Sequence, residues 1–131
     1  MDITSAEKYC LTIDQVKELE KLGISFKNTE FAYIISLDNN IKSDYELVKF
    51  NRRYKEDLIP TPSVYSLLNK IPKKIIVEKE TYIFNLEFSN NFYFVEYIND
   101  NTNSILINID RKLVRDALFG IIKWLKTNKL I

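Results

Sequence analysis

The 131 residues of this chain are enough for one domain, and a hydrophobic content of 46% excludes an intrinsically disordered chain. A formal net charge of +1 excludes a global field that would attract nucleic acid or an anionic membrane. The single cysteine excludes a disulfide framework. No apolar run is long enough to span a bilayer and no secretory signal begins the sequence, so we expect a cytoplasmic location and no membrane partner.

The first periodic segment, residues 12–22, predicts an amphipathic helix. Thr12 and Gln15 have the spacing of a capping box, in which each side chain bonds the backbone N–H of the other residue. Gly23 follows where a residue in the left-handed conformation ends many helices. These signals predict both ends of the helix.

A strand and its antiparallel return come next. The apolar run 30–37 predicts the first strand, and residues 45–50 predict the second. Farther on, Thr61 and Pro62 have the pattern of an N-cap and a first helical residue, and Pro72 would end this second, short helix.

The C-terminal half combines a meander with the most regular helix of the sequence. Period-two alternation predicts four antiparallel strands, at residues 74–78, 81–88, 92–99 and 104–108. Residues 110–130 predict a helix capped by Asp110, which would lie on the aromatic face of the meander. The whole pattern predicts a single α+β domain over residues 1–131. Its antiparallel β-sheet, a hairpin plus a four-stranded meander, would have about three helices packed mainly on one face.

The composition of the chain excludes several classes of catalytic and ligand-binding site. Histidine is absent and only 2 glycines are present, which excludes histidine triads, zinc sites of the His/Cys type and glycine-rich phosphate loops. We therefore predict no catalytic, cofactor-binding or metal-binding residues, and no enzyme activity. An enzyme that acts through carboxylates is the alternative, although no nucleophile, base and orienting group can be combined from the sequence.

A run of basic and aromatic residues follows the predicted hairpin. Such runs can bind phosphates and stack bases, which makes this one a candidate nucleic-acid site with a second basic group at residues 70–74. A solubilising loop beside an edge strand is the simpler interpretation. The candidate nucleic-acid-binding residues are Lys49, Arg52, Arg53 and Lys55.

Three tyrosines are candidates for protein binding. Tyr33, Tyr93 and Tyr97 would lie on the sheet face that the helices leave uncovered, where tyrosine is a frequent interface residue. The alternative is ordinary tyrosines on solvent-facing strands. We expect a protein partner, and a homodimer through an exposed strand is a further alternative.

Three segments of the chain carry a resemblance: SAEKYCLTIDQVKELEKLGI, IPTPSVYSLLNKIPKKI and LVRDALFGIIKWLKTNKLI. Together they resemble small, mostly uncharacterised accessory proteins of phages and mobile elements, which act in a host cell. The resemblance implies a protein that binds a host or viral component, and an inhibitor of a host defence system would fit. It transfers no catalytic motif, and this chain has Asn-Lys where the final turn of such proteins often has a glycine.

Overall fold

A computed structural model describes residues 8–26, 29, 31–35, 45–49 and 59–131. Contacts between residues divide the chain into two compact units, residues 1–66 and 67–131. The extent of a single domain over residues 1–131 stays a prediction.

Helices and antiparallel strands are both present in the described residues, which confirms the predicted α+β class. The described helices are α1 (Ile13–Lys21), α2 (Val64–Lys70) and α3 (Val114–Thr127). The described strands are β1 (Phe31–Ile35), β2 (Tyr45–Lys49), β3 (Ile59–Thr61), β4 (Lys74–Val77), β5 (Glu80–Ser89), β6 (Phe92–Asn99) and β7 (Ile105–Arg111). They form one sheet in the order β2-β1-β3 and a four-stranded meander in the order β4-β5-β6-β7. Within the described chain, none of the helices is both long and apolar enough to cross a membrane.

The ends of α1 follow from local chemistry, as predicted. The Thr12 hydroxyl accepts a hydrogen bond from the Gln15 backbone N–H at 3.2 Å, and the Gln15 side chain accepts one from the Thr12 N–H at 3.0 Å. Gly23 has φ 89°, a conformation that glycine adopts without a steric penalty. The Ile24 N–H then reaches back to the Leu19 carbonyl at 2.9 Å, which closes the helix end.

The predicted helix N-cap at Thr61 is wrong. Thr61 lies in β3 opposite Phe31, and its buried hydroxyl donates to the Leu11 carbonyl at 2.7 Å. This strand adds a third member to the predicted hairpin. The helix begins later, where the Ser63 hydroxyl accepts from the Ser66 N–H at 3.3 Å. A β-branched residue that pairs with β1 is more stable in the strand than at a helix end.

The predicted meander of β4 to β7 is confirmed, and tight turns set its register. Asn90 and Asn91 have φ 53° and 66°, as the two central residues of a type I′ hairpin require. Glu78 and Lys79 have φ 51° and 69° in the turn between β4 and β5, although neither residue favours that conformation. The buried Asn99 side chain accepts two backbone N–H groups in the turn before β7.

The helix α3 is the predicted closing helix, but it begins later than expected. Asp110 is not its N-cap, because this residue lies in β7 opposite Phe94. The helix starts at Val114, and Leu113 precedes it without a side-chain cap. One face of α3 packs on β6 and β7. Its buried residues are Val114, Ala117, Leu118, Ile121, Ile122 and Leu125.

Two backbone positions fit α3 to its surroundings. At Gly120 a Cβ atom would lie 3.2 Å from the Ile109 Cδ1 atom, so the absence of a side chain lets the helix approach β7 closely. At the other end Lys129 has φ 57°, and the Leu130 N–H bonds the Leu125 carbonyl at 2.8 Å. Lysine therefore occupies the left-handed position that glycine fills in α1.

Candidate functional site

Strand register assigns the side chains of the four-stranded sheet to two faces. Phe84 pairs with Tyr97, and Leu86 pairs with Val95, so these four side chains share the face on which α3 lies. The Tyr97 ring centroid is 5.6 Å from that of Phe84 and 6.2 Å from that of Trp124 in α3. The predicted packing of the last helix on an aromatic face is therefore correct.

Tyr97 does not lie on an uncovered face, and that placement was wrong. Its side chain is fully buried, and its hydroxyl donates to the Pro72 carbonyl at 2.7 Å. Burial raises the pKa of Tyr97 to about 12, because removing water from the phenol disfavours its ionised form. Alternation along β6 alone cannot tell which set of side chains α3 covers. The two-residue turn pairs Ser89 with Phe92, and this register places Tyr97 on the same face as Phe84. The contact of Tyr97 with Trp124 shows that α3 covers that face.

The other two tyrosines occupy different surroundings. Tyr93 is on the same face as Tyr97, with its ring centroid 4.7 Å from that of Phe88, and it is partly exposed. Tyr33 lies in β1, where it packs on a cluster that includes Phe31. Its hydroxyl donates to the Leu11 carbonyl at 2.9 Å. The three tyrosines therefore do not share one open face, since Tyr33 belongs to the other sheet.

The predicted basic site lies largely beyond what the structure describes. Lys49 ends β2, and its side chain, like all of Arg52, Arg53 and Lys55, lies outside the described residues. The second basic group is visible and exposed. It consists of Lys70, Lys73 and Lys74.

A third basic group lies near the start of α3. Arg111 ends β7, and its guanidinium donates to the Asp110 carbonyl at 2.7 Å. Arg115 is in α3 and lies 3.5 Å from the Asp116 carboxylate. The two arginines therefore do not share a helix face.

The sheet face opposite α3 is the strongest candidate site among the described residues, and we call it the open face. It consists of three rows of side chains that cross the strands, with Lys74 at one edge. The isoleucine row contains Ile76, Ile83, Ile98 and Ile105; the amide row contains Asn85, Glu96 and Asn108; the phenylalanine row contains Glu87, Phe94 and Asp110.

The isoleucine row presents apolar surface to water. Ile83, Ile98 and Ile105 are direct partners on adjacent strands, and Ile76 stands diagonally beside Ile83. Ile76 is 70% exposed and Ile105 is 57% exposed. Their alternation with polar residues along β5 and β6 was visible in the sequence, but only the register shows that they form one row.

The amide row holds a carboxylate in a fixed position. The Asn85 side-chain amide donates to Glu96 Oε1 at 3.1 Å, and that of Asn108 donates to Glu96 Oε2 at 3.0 Å. Each carboxylate oxygen has a second lone pair, so Glu96 can accept further hydrogen bonds from a ligand. Three adjacent strands thus orient one acceptor group on the open face.

The phenylalanine row forms the floor of a shallow pocket. Phe94 pairs with Glu87 on one side and with Asp110 on the other, and Glu96 is two residues along the same strand. The pocket is lined by Glu87, Ser89, Phe94, Glu96 and Asn108. Within the described chain, no group of three or more acidic or cysteine side chains is arranged to hold a metal ion.

Comparison with known proteins assigns no family to the chain. It matches no protein-family model, and no curated protein or solved structure is significantly similar to it. These comparisons neither support nor contradict the resemblance of the three sequence segments to phage accessory proteins.

Proposed function

We propose that the chain is a non-enzymatic protein-interaction module that binds its partner through the open face. The observation that carries the proposal is the exposure of Ile76 and Ile105 on the same sheet face, at the two ends of one isoleucine row. Isolated exposed apolar side chains are ordinary, but a continuous apolar row across a sheet is typical of an interaction surface.

The exposed isoleucines can contribute measurably to affinity. Full burial of an isoleucine side chain stabilises by about 1.5–3 kcal/mol, and Ile76 and Ile105 still have more than half of their surface to bury. Together they would contribute roughly 2–4 kcal/mol, which corresponds to an affinity change of about 30- to 700-fold.

The size of the open face suggests a modest interface. The four strands, of 4, 10, 8 and 7 residues, lie about 4.8 Å apart and give a projected area of roughly 450 Å². A standard interface buries about 800 Å² on each partner. We therefore expect a transient complex unless the partner also contacts the hairpin turns.

The cellular context in this proposal comes from the sequence resemblance. An accessory protein of a phage or mobile element would bind a host or viral protein, and inhibition of a host defence system is one way in which it would act. A small binding module without catalytic machinery is suited to such a role, because occupying a surface of the target is enough to block it.

Affinity capture tests the proposal. The tagged wild-type chain, the double variant Ile76→Asp/Ile105→Asp and the control Tyr65→Asp would be incubated with host lysate, and bound proteins quantified by mass spectrometry. Tyr65 is a suitable control because it is 76% exposed but belongs to α2. We expect a partner that the wild type and the control retain and the double variant loses. A partner retained equally by all three would contradict the proposal.

A nucleic-acid module is the second candidate, supported by the exposure of Lys70, Lys73 and Lys74. The carboxylates of the open face repel a polyanion, so binding would be confined to these three lysines, of which Lys74 lies at the edge of that face. Fluorescence anisotropy with DNA and RNA at two salt concentrations tests this candidate. Binding that weakens steeply with salt and is lost in a triple glutamine variant of these lysines would favour it.

A further inference from the structure

We propose that the partner of the open face is a basic segment of a protein that places an arginine side chain on Phe94, among Glu87, Glu96 and Asp110. Apolar side chains of the same segment cover the isoleucine row. The inference rests on the proposed function, and it specifies the chemistry of the partner.

Charge distinguishes this partner from the other candidates. The open face carries three carboxylates, Glu87, Glu96 and Asp110, against one ammonium group, Lys74, although the whole chain has a formal net charge of +1. The face is therefore locally anionic on a chain that is slightly basic. Nucleic acid, or a second copy of the same face, would bring like charges together, whereas a basic segment is attracted.

The surroundings of Phe94 fit a guanidinium group. Residues paired across antiparallel strands have Cβ atoms about 5 Å apart, so the Glu87 and Asp110 carboxylates flank the Phe94 ring. A cation over an aromatic ring is attracted by the negative charge of the ring face. Arginine also presents a planar fork of N–H donors, which suits stacking on the ring and bonding to carboxylates at its edge better than an ammonium group does.

The Glu96 carboxylate is already held in position in the absence of a partner. Amide donors from Asn85 and Asn108 hold both of its oxygens, so binding immobilises little additional side-chain freedom. Ile98 lies four residues from Phe94 on β6, a distance of about 13 Å along a strand. The partner must therefore present its arginine and an apolar side chain roughly 13 Å apart, which an extended segment achieves with residues i and i+4.

Selection from a peptide library tests the inference without knowledge of the natural partner. Random peptides of about ten residues, displayed on yeast, are long enough to span both rows. They would be selected on the wild-type chain, and the affinities of the enriched peptides measured on three variants. The variants are Glu87→Gln/Glu96→Gln/Asp110→Asn, the isoleucine variant Ile76→Asp/Ile105→Asp, and the control Asp14→Asn/Glu18→Gln/Glu20→Gln on α1. Because the first and third remove the same charge, they separate a local effect from a change in net charge.

We expect enriched peptides that contain arginine and an apolar residue at the i and i+4 spacing. Their affinity would fall at least tenfold on the amide variant, Glu87→Gln/Glu96→Gln/Asp110→Asn. It would also fall with added salt, and it would stay within twofold of wild type on the control. Amide substitutions keep the shape of the side chains, and the melting temperature of each variant confirms that the sheet is intact.

Other outcomes overturn the inference in distinguishable ways. Peptides that bind the amide variant normally but lose affinity for the isoleucine variant would refute the basic partner and leave the protein-interaction proposal standing. Peptides unaffected by either variant would refute both. Failure to enrich any peptide for wild type over the amide variant would also refute the basic partner.

Discussion

Replacing Tyr97 with phenylalanine tests the burial of the aromatic face. The substitution removes only a hydroxyl, which donates to the Pro72 carbonyl at 2.7 Å, and keeps the ring between Phe84 and Trp124. Loss of one such hydrogen bond lowers the free energy of unfolding by about 1 kcal/mol. At pH 7 we therefore expect Tyr97→Phe to be less stable than wild type by about that amount.

High pH should reverse the order of stability. Burial raises the pKa of Tyr97 to about 12, whereas an unfolded tyrosine has its ordinary pKa of 10.0. Between these values the unfolded state has released the proton and the folded state still holds it, so the wild type loses stability as pH rises. The loss reaches about 1 kcal/mol just below pH 11 and about 2–3 kcal/mol by pH 12. The phenylalanine variant has no such proton, so the two stability curves cross near pH 11.

Denaturant titration at a series of pH values measures this directly. The chain has one tryptophan, Trp124, whose ring centroid lies 6.2 Å from that of Tyr97, so its fluorescence reports unfolding close to the site. Comparing the two proteins at each pH cancels the contributions of the other tyrosines and of the lysines. A stability difference that stays constant from pH 7 to pH 11.5 would refute the burial of Tyr97.

Three further substitutions test the fold by thermal and denaturant unfolding. Leu118→Asp should unfold the chain, since an unpaired buried charge costs several kcal/mol. The control Lys123→Gln, on the exposed side of α3, should change the free energy of unfolding by less than about 0.5 kcal/mol. An unchanged melting temperature for Leu118→Asp would exclude α3 from the core. Lys129→Gly should stabilise by about 0.5–1 kcal/mol because it relieves φ 57°, while the control Lys123→Gly, inside the helix, should destabilise by about 1 kcal/mol. Lys79→Gly should stabilise by a similar amount, about 0.5–1 kcal/mol, because the turn between β4 and β5 holds Lys79 at φ 69°. Destabilisation would argue against the left-handed conformation of Lys79.

Local signals in the sequence predicted the elements whose ends depend on nearby residues. The capping box of Thr12 and the stop at Gly23 bound α1 because both act within one helical turn. The strands of the meander were predicted because alternation along each strand follows directly from its pleat. The same reasoning failed where a distant strand competes for a residue. Asp110 and Thr61 both have the chemistry of helix caps, but pairing with β6 and β1 places them in strands.

The candidate site was likewise predictable only where it depends on residues near each other in the sequence. Each strand of the meander has two faces that the sequence distinguishes, but the sequence does not say which face of one strand matches which face of the next. For this reason Tyr97 was assigned to the uncovered face, although it lies beneath α3. The rows containing Ile105 and Glu96 depend on register across three or four strands, so they emerged only from the structure.

The binding role of the open face is tested most directly by isoleucine methyl NMR. The chain, labelled at its isoleucine δ1 methyl groups, would be titrated with the partner that affinity capture identifies. We expect the methyl signals of Ile76, Ile83, Ile98 and Ile105 to shift or broaden in proportion to bound partner, while that of Ile121, buried on α3, changes little. Saturation of the chain by its partner with the signals of Ile76 and Ile105 unchanged would contradict binding through the open face.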